Sequence, residues 1–155
     1  MSKKLVLLDC CTLGVLTHSN DDLPEVIKMR EWATNLKRKG VQIRIPAIAK
    51  YELRRQLIRL DFGVTLANLN TAIATYGYLE LTDEALEIAA EFWARAKRDH
   101  GQNLHCMYKI DADMILCGQA QVEQNKGYEA IVATDNLRDM RLVWPNSHIW
   151  EDIKP

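Results

Sequence analysis

The sequence has no long apolar run, almost no net charge and no ordered spacing of cysteine and histidine. Nothing approaches the ~20 consecutive apolar residues of a membrane-spanning helix. Met1-Ser2-Lys3-Lys4 ahead of Leu5-Val6-Leu7-Leu8 mimics the start of a signal peptide, but Asp9 ends the apolar run after four residues. A cytoplasmic, membrane-free protein is therefore expected. Of the four cysteines, Cys10 and Cys11 are adjacent and cannot form a C-x-x-C clamp, while Cys106 and Cys117 lie far from them. The four histidines share no ligand spacing with them, so a structural zinc site or a histidine-based centre is not expected. Free thiols in a reducing compartment are the simpler reading. Seven glycines and four prolines are too few for a low-complexity or collagen-like chain. With 20 Lys+Arg against 21 Asp+Glu, the protein is no polycation, and contact with nucleic acid would have to come from local basic patches. A length of 155 residues suits one domain covering 1–155, without internal repeat or linker.

What is present is an alternation of apolar strands and amphipathic helices. Residues 5–8 form a continuous apolar run, as in a strand covered on both faces. From 23 to 39, Val26, Met29, Ala33 and Leu36 follow helical spacing, and Gly40 supplies a stop. Residues 41–45 alternate as a strand, and Pro46 opens a helix to about 60. Another helix is expected over 62–75, and a short strand over 78–81. Thr82 caps a helix that carries Leu86, Ala89, Ala90, Trp93 and Ala96 on one face and closes at Gly101. A helix beginning at Asp111 or Asp113, a buried strand over 130–133 and a last strand near 149–150 complete the pattern. This is an α/β chain with a mainly parallel sheet, whose chemistry belongs beyond the carboxyl ends of the strands.

Acidic residues collect at those places. Asp9 follows the first strand directly, Asp135 and Asn136 follow the strand ending near Ala133, Asp111 and Asp113 start a helix, and Glu52 lies in the helix after Pro46. Carboxylates converging on one crevice repel each other unless a cation neutralises them, and Mg²⁺ or Mn²⁺ with its preference for oxygen suits that role. Each acid also has an ordinary alternative. Asp111 and Asp113 cap helices well, Asp135-Asn136 suits a turn, and Glu52 suits a surface. Asp9, after four apolar residues, is the strongest single case.

The surroundings of these acids resemble the PIN-domain family, named for the PilT N-terminus and including the VapC-type toxin ribonucleases. Leu7-Leu8-Asp9-Cys10-Cys11-Thr12-Leu13 is similar to the family's opening signature, and Ile45-Pro46 through Tyr51-Glu52-Leu53 to its second motif. Asp113-Met114-Ile115-Leu116-Cys117-Gly118-Gln119-Ala120 resembles the third, and Ile131-Val132-Ala133-Thr134-Asp135-Asn136 the fourth. The four occur in family order over residues 5–140. The resemblance implies a three-layer α/β/α sandwich and metal-dependent hydrolysis of RNA phosphodiesters. It places Asp9, Glu52, Asp113 and Asn136 at the catalytic positions. Asp9 and Asp113 would be the metal ligands, with Glu52, Asp111 and Asp135 as further candidates. It also implies Mg²⁺ (or Mn²⁺) as cofactor, RNA as substrate, a homodimer and, for a toxin of a type II pair, a cognate antitoxin. Cys11 stands where the family commonly has Ser or Thr. Cys117-Gly118 replaces a usual pair of alanines, a packing change expected to be tolerated.

An acidic crevice needs cationic flanks to attract a polyanion. Arg54 and Arg55 adjoin Glu52 and are the leading substrate-binding candidates with Thr134. Arg59, 37–39, the cluster at Arg95, Lys97 and Arg98, and Arg138 and Arg141 follow, most of them explicable as solvated helix ends. Other strand-end aspartate enzymes fit less well: a haloacid-dehalogenase-like phosphatase needs a second Asp where Cys11 stands, and no receiver-type acidic cluster is clear. A housekeeping nuclease or a non-catalytic PIN-like module that binds RNA or protein is the alternative.

Overall fold

The computed structural model describes residues 2–100 and 110–155. Five parallel strands form the sheet: β1 (Lys3–Leu8), β2 (Gln42–Pro46), β3 (Tyr78–Leu79), β4 (Tyr128–Ala133) and β5 (Ser147–His148), in the order β3-β2-β1-β4-β5. Among the described residues, seven helices flank it: α1 (Cys10–Leu16), α2 (Pro24–Arg38), α3 (Ala47–Arg59), α4 (Gly63–Tyr76), α5 (Asp83–His100), α6 (Asp111–Asn125) and α7 (Leu137–Val143). The three-layer α/β/α reading holds, and every strand pairing is parallel.

The continuous apolar strands explain the layering. Successive side chains of a strand point to opposite faces. Val6 and Leu8 of β1 and Ile131 and Ala133 of β4 enter one core, with Met29, Leu36, Leu53, Leu57 and Leu69 from α2, α3 and α4. Leu5, Leu7, Ala130 and Val132 enter the other, with Phe92, Met114, Cys117 and Met140 from α5, α6 and α7. Because both faces are covered, an alternating pattern was never available to the central strands.

Several local expectations are corrected. The strand expected near 149–150 is a 3₁₀ turn at Trp150–Asp152, and the pairing segment is β5, two residues earlier. Pro46 closes β2 and sits just before α3 with extended ψ, rather than in the first helical turn. The buried stripe of α5 is Ala85, Ala89, Phe92 and Ala96, whereas Leu86 and Trp93 are both 41% exposed. The stripe turns this way because alanines let α5 lie close against α6. Gly40 does end α2, with φ of +84°. The expected stop at Gly101, and with it His105 and Cys106, lies outside the described residues.

Sheet order matters for function. From β1 the chain moves to β2 and β3 on one side, then crosses through α5 and α6 to β4 on the other. The switch in direction lies between β1 and β4, where open α/β sheets place their binding crevice.

Candidate active site

The register Leu8↔Ala133 brings Asp9 and Thr134 side by side where β1 and β4 end. Asp9 is almost wholly buried and serves as the N-cap of α1, its Oδ1 accepting from the Thr12 backbone N–H at 2.8 Å. Its Oδ2 accepts from the Thr134 hydroxyl. The Thr12 hydroxyl in turn donates to the Ala133 carbonyl at 3.0 Å, so the start of α1 is pinned to the end of β4. Thr134 is fully buried, and its hydroxyl also accepts from the Asn136 N–H at 3.0 Å. It lies beneath the crevice and orients Asp9 rather than facing solvent.

Two helices carry the other acids in. Asp113, in the first turn of α6, accepts a 3.1 Å hydrogen bond from the Asn136 side-chain amide. Glu52, half-buried on α3, lies 3.9 Å from the Arg55 guanidinium. Asp9, Glu52 and Asp113 feel one another. Burial and the charges of Asp9 and Glu52 push Asp113 up to about 7. Burial raises Asp9 too, although its hydrogen bonds from Thr134 and Thr12 act the other way, and Asp135 adds a smaller upward push. Glu52 is raised by burial and by Asp9, with Arg55 opposing. The exposed Cys11 thiol is pushed up to about 11 by burial and by the charges of Asp9, Asp135, Glu52 and Asp113, so it stays protonated at neutral pH.

The crevice thus gathers Asp9, Glu52, Asp113 and Asn136, with Asp135 at its rim. Asp111 is not brought in. It is exposed and borders a cavity of about 460 Å³ on the α5 side of α6, with Leu86, Trp93 and Ile115. Two residues along a helix turn a side chain through about 200°, which separates Asp111 from Asp113. Arg54 and Arg55 are exposed on α3. Three of the lesser basic candidates are engaged locally: Lys37 donates to the Thr75 carbonyl, Arg141 to the Ser147 carbonyl, and Lys97 lies over Trp93.

Sequence reasoning missed Gln119. It is 1% exposed, and its amide nitrogen donates to the Leu79 and Glu80 carbonyls at 3.0 Å each, while its Oε1 accepts from the Ile48 N–H at 3.5 Å. One buried amide ties α6 to the start of α3 and the end of β3, fixing the helix of Asp113 against that of Glu52. A polar residue flanked by Cys117, Gly118 and Ala120 was the available signal.

Three mutually repelling carboxylates with one nearby arginine suit a hard divalent cation in donor chemistry. As placed, no three Asp, Glu, His or Cys side chains among the described residues are gathered tightly enough to hold one. The crowding of carboxylates has a consequence for the metal-free protein. Asp113 ionises near 3.8 when unfolded but near 7 when folded. Between those values the folded state binds more protons, so its contribution makes stability fall as pH rises through that window. Denaturant unfolding in EDTA should find Asp113→Asn losing on the order of 2 kcal/mol less stability than wild type between pH 5 and 8. Parallel curves for the two proteins would show that Asp113 does not feel its neighbours.

No protein-family model matches the sequence, and no curated protein matches it. Among solved structures, the chain is similar to the crystal structure of VapBC2 from Rickettsia felis bound to a DNA fragment from its promoter. The TM-score is 0.67 at 14% identity, and the match covers 92% of this chain and 95% of that one. The chain has a PIN-like fold. Within it, the first and fourth PIN-like motifs meet where β1 and β4 end, because the crossover places β4 beside β1. No helix among the described residues is long and apolar enough to cross a membrane.

Proposed function

We propose that the protein is a metal-dependent endoribonuclease of the VapC toxin type, hydrolysing RNA phosphodiester bonds. The observation that carries this reading is the convergence of Asp9, Glu52 and Asp113 at the switch point of a PIN-like sheet, each raised by burial and by a neighbouring acid. Asp9 and Asp113 would hold Mg²⁺ or Mn²⁺, with Glu52 and Asp135 at hand to complete the set. Such an ion supplies Lewis-acid polarisation of the phosphate and a bound water acidic enough to attack near neutral pH. Thr134 and the Thr12 N–H hold both oxygens of Asp9, and Asn136 holds Asp113. Glu52 would orient the attacking water, and Arg55, 3.9 Å from it, would meet a phosphate oxygen. A cognate antitoxin, a homodimer and a cytoplasmic location belong to the same proposal. The homodimer would use the apolar helix face edged by Leu86 and Trp93.

That no three of the described acids stand close enough to hold an ion supports a second reading, a PIN-like module that binds RNA or protein without catalysis. One assay separates them: labelled single-stranded RNA incubated with Mg²⁺ or Mn²⁺, and with EDTA. The nuclease reading expects internal cleavage that EDTA abolishes. Intact RNA under every divalent condition would leave the binding module.

A further inference from the structure

Among the helices of the described residues, α3 is the most basic. α3 carries Lys50, Arg54, Arg55 and Arg59 against the single carboxylate of Glu52. Arg59 suits a helix C-terminus through the macrodipole, but Arg54 and Arg55 are mid-helix and need another reason. Interleaved with them are large apolar side chains in full view of solvent: Tyr51 and Ile58 are each 59% exposed, and Phe62, just past the helix, is 53% exposed. The spacing 51, 55 and 58 sets Tyr51, Arg55 and Ile58 along one face of α3, with Phe62 beyond its end. Arg55 lies with its guanidinium 5.2 Å from the centre of the Tyr51 ring, while also reaching Glu52. Through Arg55 the stripe adjoins Glu52, one of the acids of the crevice.

We infer that this face of α3 is the track along which single-stranded RNA enters the crevice, with a base stacked on Tyr51 and phosphates held by Arg54, Arg55 and Arg59. The inference rests on the ribonuclease reading and adds to it the surface that receives the strand. Charge decides the occupant. A second copy related by twofold symmetry would set these arginines against their own duplicates, whereas a polyanion complements them. A duplex keeps its bases stacked inside, so an exposed tyrosine beside arginines suits a strand whose bases are free.

The test is fluorescence anisotropy in EDTA, where binding is read without turnover, using a short labelled oligouridylate, its hybrid with a complementary strand and an abasic ribose-phosphate oligomer of equal length. Tyr51→Ala should weaken oligouridylate binding roughly tenfold, as for loss of one stacked base, while Tyr51→Phe stays near wild type. Abasic and duplex probes should bind weakly and not respond to either substitution. Arg54→Ala should weaken all three probes and flatten their salt dependence. Equal affinity for duplex and single strand, or an unchanged Tyr51→Ala, overturns the track. So does a dimer in sedimentation that Tyr51→Ala dissociates, since the face would then join two copies. Failure of the ribonuclease reading looks different: Tyr51-dependent binding persists while no divalent ion supports cleavage.

Discussion

Asp9→Asn is expected to abolish metal-dependent RNA cleavage while leaving the protein folded. Asparagine keeps the cap, because its Oδ1 still accepts from the Thr12 N–H and Asn is among the best N-cap residues. The Thr134 hydroxyl, which now donates to Asp9, must find another acceptor or turn to receive the new amide. Against that local cost stands the removal of a buried charge that repels Asp113 and Glu52. The metal-free variant should therefore melt no more than a few degrees from wild type. Activity has no such offset. Losing a carboxylate ligand removes charge neutralisation and positioning together, and a fall of about 10³-fold or more corresponds to about 4 kcal/mol of transition-state stabilisation. Cleavage by the folded variant at the wild-type rate would mean that Asp9 is only a helix cap.

The second large effect concerns stability. Gly118→Ala should destabilise the protein by about 2–3 kcal/mol, even though alanine is the better helix former by about 1 kcal/mol. A Cβ on Gly118 would meet the Ala85 carbonyl oxygen at 2.2 Å and the Ala89 Cβ at 3.2 Å, so α5 and α6 would have to part. That separation loosens the face that carries Asp113. Thermal melts should register a drop of roughly 5–10 °C. Gly63→Ala is the control, because nothing lies within 4 Å of its added Cβ at the start of α4, and it should stabilise by up to about 1 kcal/mol. A Gly118→Ala protein as stable as wild type would show that the two helices have room to adjust.

The same position shows where sequence reasoning stopped. Gly118 read as interchangeable with alanine, because nothing in a sequence tells how closely a neighbouring backbone approaches. Trp93 fits the apolar stripe by spacing, yet the small residues Ala85, Ala89 and Ala96 decide which face of α5 packs. The helices α1 and α7 were not foreseen. Each has seven residues and follows directly on an acidic turn, and the capping signal of Asp9 was absorbed into its reading as a ligand. It does both jobs. The strands were legible because continuous apolar runs bounded by charge have few other uses. The convergence of Asp9, Glu52, Asp113 and Asn136 was legible only through motif order. Spacing alone does not separate Asp111 from Asp113, which only the motif resemblance ranks first; the helical turn sends Asp113 to Asn136 and Asp111 towards Trp93.

That difference supplies the most direct measurement of the central claim. Mn²⁺ binding, followed by electron paramagnetic resonance of the free ion, should be compared for wild type, Asp113→Asn and Asp111→Asn at equal protein concentration. The two variants change charge equally, two residues apart on one helix. The account predicts saturable binding by wild type and Asp111→Asn alike, and at least roughly tenfold weaker binding by Asp113→Asn, in line with loss of a carboxylate ligand. Equal binding by all three proteins, or none by wild type, would contradict a metal centre in this crevice.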